Sequence, residues 1–200
     1  SIEEIGSQKA AILKADKIAI LGSETMPLSV TEFANSVCSS VYQLNKDFLV
    51  EKNVLDWSYS FLEEDFEIRA FSHGSLSIDS AACALTAFRL LCKDEIDFKT
   101  TIKNTLLKGR CHAVDNFILD VSHNPASVRN LALYLKKNYK HHDFSAIFAT
   151  MTDKDSSSII NEISGLISNW NICDIKDKRF DATSLLKLTE KITNKKVTFK

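Results

Sequence analysis

The stretch Phe117-Ile-Leu-Asp-Val-Ser-His-Asn-Pro125, continued by Ala126-Ser-Val-Arg-Asn-Leu-Ala-Leu-Tyr-Leu-Lys136, decides the fold. Residues 117–121 are an apolar, β-forming run interrupted by one carboxylate, and they predict a buried strand. Apolar residues then recur at helical spacing from Val128 to Leu135, which predicts a helix. The sequence therefore places a strand-to-helix junction at residues 121–126.

The polar residues of this junction can bind an anion or simply close the turn. Asn124 can cap the helix, and Pro125 suits its first position. Asp120, Ser122 and His123 would then lie at the carboxyl end of the strand, beside a helix N-terminus whose free amides favour anions. Ligands bind at this edge of open α/β sheets. The alternative is an ordinary turn in which Asp and Asn serve only as caps.

Three segments resemble motifs of one enzyme family. Leu119-Asp-Val-Ser-His-Asn-Pro125 is similar to the LD-(G/V)-A-H-N-P signature of bacterial folylpolyglutamate synthase/dihydrofolate synthases, members of the Mur ligase superfamily. Gly109-Arg110 matches the core of the family's PGR motif, with Lys108 and Cys111 as departures. Ile147-Phe-Ala-Thr-Met-Thr-Asp-Lys-Asp155 resembles a further strand and turn. Their order is that of the C-terminal half of the family.

The beginning of the chain adds a match that implies a metal role. Ile2-Glu-Glu-Ile-Gly-Ser-Gln-Lys-Ala-Ala-Ile-Leu-Lys14 resembles the family segment TIE-x-IA-x-EKAGI-(F/I)-K, with Gln8 and Ala11 where the family usually has Glu and Gly. The resemblance implies that Lys9 is carbamylated and helps to hold Mg²⁺, because carbamylation turns a cation into an oxygen ligand that this ion prefers. Without the resemblance, Lys9 is a solvated lysine on an amphipathic helix.

The segment from Leu76 to Leu91 resembles a family helix whose asparagine contacts ATP. Ser80 stands at the position of that asparagine and follows Asp79, so either side chain could approach the nucleotide, or the contact is lost. In each case the spacing predicts that the helix core is formed by Ala81, Ala82, Leu85, Phe88 and Leu91.

The resemblance also implies roles for three residues near the junction. Arg110 would bind the nucleotide phosphates, because a planar guanidinium can bind phosphate in two places. Asp120 would accept hydrogen bonds from the ribose or orient the nucleotide, and His123 would be a catalytic residue near glutamate. Residues 108–110 are the expected hinge, whose closure would exclude water.

The expected fold class is α/β. A mostly parallel, Rossmann-like C-terminal sheet flanked by helices would follow the closing part of a P-loop-type ATPase domain. Residues 1–107 would be the C-terminal part of the central ATP-binding ligase domain, and residues 108–200 the C-terminal Mur ligase-like domain. The sequence contains no Gly-x-x-x-x-Gly-Lys-Ser/Thr loop. We therefore expect a fragment of a longer enzyme that is inactive alone.

Hydrophobic periodicity gives the expected elements. Helices are expected over residues 3–13, 29–43, 78–92, 100–107, 126–139, 156–168 and 183–192. Strands are expected over residues 17–21, 117–121, 144–150, 171–175 and 197–199, with strand-like alternation over 56–70.

Composition bounds the partners and the compartment. The chain has 25 basic and 26 acidic side chains and is 44% hydrophobic, which fits a globular enzyme and leaves no electrostatic footprint for nucleic acid. Five cysteines without a Cys-x-x-Cys pair indicate reduced thiols rather than a disulfide frame or zinc site. No apolar run is long enough for a membrane span, and we expect no signal peptide at Ser1. We expect a cytoplasmic monomer that binds small molecules, and neither nucleic acid nor membrane.

The resemblance implies ATP-dependent amide ligation of L-glutamate to dihydropteroate, folylpolyglutamate or both, through an acyl phosphate, in folate biosynthesis and one-carbon metabolism. The implied cofactors are ATP and Mg²⁺, and the implied substrates are L-glutamate, dihydropteroate and reduced folates. Two alternatives stay open at this point. One is another Mur-type amino-acid ligase, and the other is a non-catalytic α/β module that binds a nucleotide.

Overall fold

The computed structural model describes residues 1–53, 55–72, 76–92 and 94–199. The chain divides into two compact units, Ser1–Leu106 and Leu107–Lys200. Among the described residues, every helix is too short or too polar to cross a lipid bilayer.

The described part of the first unit has four α-helices and five strands, and the strands form two separate sheets. Strands β1 and β2 pair in parallel, whereas β3, β4 and β5 form an antiparallel sheet in that order. The elements are α1 (Ile2–Ala10), β1 (Ile18–Leu21), α2 (Leu28–Val37), β2 (Ser40–Gln43), β3 (Phe48–Lys52), β4 (Asp56–Phe61), β5 (Phe66–Ser72), α3 (Ile78–Leu91) and α4 (Phe98–Asn104).

The helix predicted over residues 29–43 is wrong in its second half. Helix α2 ends at Val37, because Cys38 adopts an extended backbone conformation. Residues 40–43 then pair with β1 as a parallel strand. Val41 and Tyr42 are good strand formers, and the edge of β1 supplies the hydrogen-bond partners that continued helix would have left unused. Strand β3 is a further element that the periodicity did not predict.

The core of the first unit is aromatic. Trp57 stacks on Phe71 with ring centroids 4.3 Å apart, and both side chains are buried. The buried Tyr59 hydroxyl lies 2.8 Å from Thr86 Oγ1, which itself donates to the Ala82 carbonyl. The sheet of β3, β4 and β5 thus packs on α3 through apolar burial and one satisfied polar pair.

The face that α3 buries agrees only in part with the predicted one. Ala81, Ala82 and Leu85 are buried, and Phe88 is half-buried. Leu91, however, is 76% exposed. Leu91 is the last residue of α3, and its side chain lies outside the core.

The second unit is built on a parallel sheet. Its strands follow the order β10-β9-β8, and all neighbours pair in parallel. A two-stranded antiparallel hairpin, β6 with β7, precedes this sheet along the chain. The elements are β6 (His112–Val114), β7 (Phe117–Leu119), α5 (Pro125–Asn138), β8 (Phe144–Phe148), α6 (Ser156–Ile163), β9 (Ile167–Ile172), α7 (Ala182–Thr193) and β10 (Val197–Phe199).

Helix α6 packs against both α5 and α7, and the buried side chains of the unit come mainly from the strands and from these helices. Trp170 on β9 and Ile160 on α6 are among them. The predicted α/β class, with a mostly parallel C-terminal sheet flanked by helices, is therefore confirmed.

Three expectations for the second unit are wrong. The helix predicted over residues 156–168 ends at Ile163, and strand β9 begins four residues earlier than expected, because Ile167 already pairs with β8. The strand at 117–121 is not buried: Phe117 is 59% exposed and Leu119 48%. It pairs only with the short β6 among the described strands, which covers little of its surface.

Candidate functional site

A carboxylate fixes the chain where β7 ends. Asp120 follows the strand and is partly buried. Its Oδ2 accepts a hydrogen bond from the Cys111 amide at 2.8 Å, and its Oδ1 accepts one from the Ser122 amide at 2.8 Å. Hydrogen bonds to a charged carboxylate are shorter and stronger than those between neutral groups. Asp120 therefore joins the residues before β6 to those after β7.

Residues 109–111, here called the 109–111 turn, have an uncommon backbone. Gly109 has a φ of +75° and Cys111 a φ of +43°, both in the left-handed region. The Arg110 amide donates to the Leu107 carbonyl at 3.0 Å, and the Val121 amide donates to the Gly109 carbonyl at 2.9 Å. The two strand ends are thus tied together on both sides of Arg110.

Glycine is favoured at position 109 for two reasons. A left-handed φ is strained for residues with a Cβ. A Cβ built on Gly109 would also lie 3.1 Å from Val121 Cγ1, closer than ordinary van der Waals contact. The Gly-Arg pair seen in the sequence therefore has a local structural cause.

The thiol of Cys111 lies against the Asp120 carboxylate. Burial is the main cause that raises the pKa of Cys111 to about 12, and the charge of Asp120 and a hydrogen bond to it add to the effect. The positive charge of Arg110 opposes the shift. The thiol is consequently neutral at physiological pH, where it can donate to the carboxylate.

Helix α5 begins as the sequence predicts. Asn124 Oδ1 accepts from the Ser127 amide at 2.9 Å, and Ser127 Oγ accepts in return from the Asn124 amide at 3.3 Å, while Pro125 occupies the first turn. This reciprocal capping box fixes the position of the helix start. The N-terminus of α5 therefore lies directly after the loop of Asp120, Ser122 and His123.

Two side chains near this loop are exposed to solvent. Arg110 is exposed, and within the described parts of the chain its guanidinium has no ion pair or side-chain hydrogen bond. His123 is exposed as well, and its Nδ1 lies 3.1 Å from the Val121 carbonyl oxygen. If the ring is neutral, this contact leaves the proton on Nδ1 and Nε2 as an acceptor.

The structure groups three of the five predicted site residues in the second unit. Arg110, Asp120 and His123 all lie around the end of β7. Lys9 and Ser80 belong to the first unit: Lys9 is exposed in the last turn of α1, and Ser80 is exposed in the first turn of α3.

The described residues contain no cluster of three or more His, Cys, Asp or Glu side chains that could hold a metal ion. Lys9 as a carbamate would supply oxygen ligands from a single side chain, whereas Mg²⁺ needs octahedral coordination. The residues described here therefore do not form a magnesium site by themselves, and the metal role of Lys9 stays a prediction.

The comparison with family motifs did not select two residues of the site, Cys111 and Ser127. Cys111 was noted only as a departure from the family motif, yet its amide and thiol both face Asp120. Ser127 completes the cap of α5. The spacing Asn124-x-x-Ser127 is a capping-box pattern that could have been found in the sequence, whereas the contact across nine residues had no sequence signal.

The parallel sheet, its packed helices and the polar loop before α5 define the second unit as a Rossmann-like α/β domain. Comparison with known proteins shows what the whole chain is similar to. No family model matches the chain.

Curated relatives share one description, dihydrofolate synthase/folylpolyglutamate synthase. The protein of Buchnera aphidicola subsp. Schizaphis graminum is 26% identical over 199 aligned positions, and the match covers 95% of this chain and 46% of the relative. That of Escherichia coli strain K12 is 28% identical over 192 aligned positions, and the match covers 88% of this chain and 43% of the relative. The chain spans about half the length of the curated relatives it matches.

Solved structures show the same likeness in three dimensions. Escherichia coli FolC in complex with DHPP and ADP has a TM-score of 0.83 at 22% identity, covering 99% of this chain and 47% of that protein. A bifunctional folylpolyglutamate synthase/dihydrofolate synthase with Mn, AMPPNP and L-glutamate bound also has a TM-score of 0.83, at 21% identity, covering 99% of this chain and 48% of that protein. The predicted resemblance to about half of such a synthase is confirmed.

Proposed function

We propose that this chain forms about half of an ATP-dependent ligase that joins L-glutamate to dihydropteroate, to folylpolyglutamate or to both. One observation carries the proposal: the sequence similarity runs through 88–95% of the chain in the Buchnera and Escherichia coli relatives, which share one name for their activity. The fold of the solved synthases agrees with it over nearly the whole chain.

The local chemistry of the second unit supports a nucleotide. Arg110 presents a guanidinium that pairs with no carboxylate in the described residues, and the positive end of the α5 dipole lies beside the polar loop. Both features favour a phosphate group. Related synthases have been solved with ADP or AMPPNP bound, so we assign the exposed Arg110 to the nucleotide phosphates.

The reaction proposed for the complete protein has two steps. A carboxylate of the pteroate or folate substrate takes the γ-phosphoryl group of ATP and becomes an acyl phosphate. The amino group of L-glutamate then attacks the acyl carbon, so that an amide forms and phosphate leaves. Protein groups act in such reactions mainly by positioning the reactants and by stabilising charge.

Within this scheme Arg110 stabilises negative charge on the transferred phosphoryl group. His123 offers an acceptor nitrogen to solvent when its ring is neutral, which suits contact with the ammonium group of glutamate or with the proton it loses. The related synthases were solved with Mn, which supports a divalent cation in the complete enzyme. Because the described residues form no cation site, no step is assigned to a metal held by this chain.

The test is acceptor-dependent ADP release by the complete protein that contains this chain. The assay would contain ATP, Mg²⁺ and L-glutamate, with dihydropteroate or tetrahydrofolate as the acceptor. We expect release with at least one acceptor, and the pattern assigns the ligation step. Absence of release with both acceptors would remove the folate ligase and leave another amino-acid ligase or a nucleotide-binding module.

The Arg110→Ala variant tests the assignment of the phosphate contact. We expect kcat/KM for ATP to fall at least tenfold, which corresponds to about 1.4 kcal/mol in transition-state stabilisation. Arg129→Ala is the matched control, because Arg129 lies in the same unit but is paired with Glu162 of α6. Equal kinetics of the two variants would show that loss of a surface charge, rather than of a phosphate contact, explains the result.

A further inference from the structure

We propose that the hydroxyl of Ser122 binds one of the two ribose hydroxyls of the nucleotide, beside the Asp120 carboxylate. The inference rests on the proposed function and deepens it, because it names the part of the nucleotide that the loop before α5 recognises. Ser122 is a departure of this chain, since the family signature LD-(G/V)-A-H-N-P has alanine at its position. The contact therefore distinguishes this chain from relatives that follow the signature.

The hydroxyl of Ser122 is not used by the local structure. The capping box of α5 is complete with Asn124 and Ser127, whose amides and side chains bond to each other. Ser122 takes part in the loop through its backbone amide, which donates to Asp120 Oδ1 at 2.8 Å. Among the residues that the structure describes, its hydroxyl has no hydrogen-bond partner, although the residue is partly buried. The loop thus holds the residue in place and leaves the hydroxyl to a ligand.

The surroundings of this hydroxyl favour a neutral ligand group over a phosphate. The hydroxyl belongs to the residue whose amide binds Asp120, so it lies within one side chain's length of a carboxylate. That negative charge repels a phosphate, whereas a ligand hydroxyl can donate to it. Arg110 pairs with no described carboxylate and is the better partner for the phosphates. The part of the nucleotide beside Ser122 is therefore an uncharged one.

The Asp120 carboxylate retains acceptor capacity next to Ser122. Its two oxygens offer about four lone-pair positions, and the Cys111 and Ser122 amides occupy one position on each oxygen. A carboxylate only accepts, whereas a serine hydroxyl both donates and accepts. Together the two groups match a pair of adjacent hydroxyls, of which one donates to the carboxylate and the other bonds to Ser122. Ribose is the part of ATP that carries such a pair.

Nucleotides that lack one ribose hydroxyl test the contact directly. The complete protein that contains this chain is prepared as wild type and as Ser122→Ala, which installs the residue of the family signature and should fold normally. Calorimetry gives the Kd of each protein for ADP, 2′-deoxy-ADP and 3′-deoxy-ADP. The two deoxy nucleotides distinguish which of the ribose hydroxyls is bound.

We expect Ser122→Ala to bind ADP about fivefold more weakly than the wild type. This change corresponds to about 1 kcal/mol, the size of one neutral hydrogen bond. For one of the two deoxy nucleotides, the two proteins should bind within about twofold of each other, because the contact is already missing. For the other, a difference of about fivefold should persist. Such coupling between a side chain and a ligand group identifies a direct contact, which a general loss of structure does not produce.

Ser168→Ala is the matched control in the same unit. Ser168 is exposed near the start of β9, and its hydroxyl makes no hydrogen bond to another described residue. The variant removes the same chemical group outside the loop that precedes α5. We expect it to bind all three nucleotides within about twofold of the wild type. Circular dichroism of each variant establishes that it is folded.

The outcomes are distinct. A Ser122→Ala protein that binds all three nucleotides as the wild type does would overturn the inference. A variant weakened equally for all three would overturn it as well, because the loss then depends on neither ribose hydroxyl. In both cases, acceptor-dependent ADP release by the wild type would leave the proposed function intact. A wild-type protein that neither binds ADP nor ligates glutamate would reject this inference together with the proposed function.

Discussion

The antiparallel sheet of the first unit and the hairpin of the second unit use similar strands in opposite ways. In β4, Trp57, Tyr59 and Phe61 are almost completely buried. In β7, Phe117 and Leu119 are about half exposed, and the shape of the hairpin depends on backbone hydrogen bonds to Asp120. Apolar burial therefore stabilises the first region, whereas a carboxylate and two left-handed residues define the second. We therefore expect the antiparallel sheet to be sensitive to the removal of buried side chains. We expect the hairpin to be sensitive to changes in backbone geometry.

The largest loss of stability is expected for Phe71→Ala. The substitution removes the ring that stacks on Trp57 and leaves a cavity beneath a buried sheet, so we expect the free energy of unfolding to fall by about 3–5 kcal/mol. Urea unfolding followed by fluorescence measures the loss, and hydrogen exchange locates it in β4 and β5. Leu55→Ala is the control, since Leu55 is 84% exposed. Similar losses for both variants would contradict a core centred on this aromatic stack.

A smaller loss of stability is expected from a substitution that disturbs the backbone of the 109–111 turn. We expect Gly109→Ala to reduce the free energy of unfolding by about 1–2 kcal/mol, because alanine pays for a left-handed φ and its Cβ crowds Val121. Gly165→Ala is matched in chemistry and unit, and a Cβ at Gly165 meets no atom within 4 Å. Equal unfolding midpoints for the two alanine variants in urea would show that the 109–111 turn is not constrained.

The sequence predicted best those elements whose ends are marked by local signals. The helix α5 and strand β10 lie where the pattern placed them, since each has clear caps or a short apolar run. Residues 38–43 were predicted as helix because Val41 and Tyr42 continue an apolar pattern that is compatible with a helix. In the structure, residues 40–43 pair with the edge of β1 instead. Pairing between distant strands is not encoded in local spacing.

The sequence selected candidate site residues, and it gave no signal for the contacts between them. Motif resemblance selected Arg110, Asp120 and His123, and the structure gathers these residues around one strand end. The bond from Asp120 to the Cys111 amide crosses a hairpin whose first strand was not predicted. The register of that hairpin decides which amide faces the carboxylate, and a single sequence contains no strong signal for register.

The finest test concerns a buried hydroxyl in the apolar region. Tyr59 donates to Thr86 Oγ1, because the Thr86 hydroxyl already donates to the Ala82 carbonyl. Tyr59→Phe removes one neutral hydrogen bond and leaves Thr86 with a partner, so we expect a loss of about 1 kcal/mol in the free energy of unfolding at neutral pH. This loss should be well below that of Phe71→Ala, because the ring and its packing are retained.

The pH dependence of the same variant tests whether the region is dry. Burial is the main cause that raises the pKa of Tyr59 to about 12, against an ordinary value of 10.0. Because the folded phenol holds its proton more tightly than the unfolded one, its contribution to stability is complete below pH 10 and is lost as the pH rises towards 12. Wild-type protein should therefore lose its advantage over Tyr59→Phe across this window in urea unfolding. A difference between the two proteins that stays constant from pH 8 to pH 11.5 would mean that water reaches the phenol, and that the two regions differ less in burial than their contacts indicate.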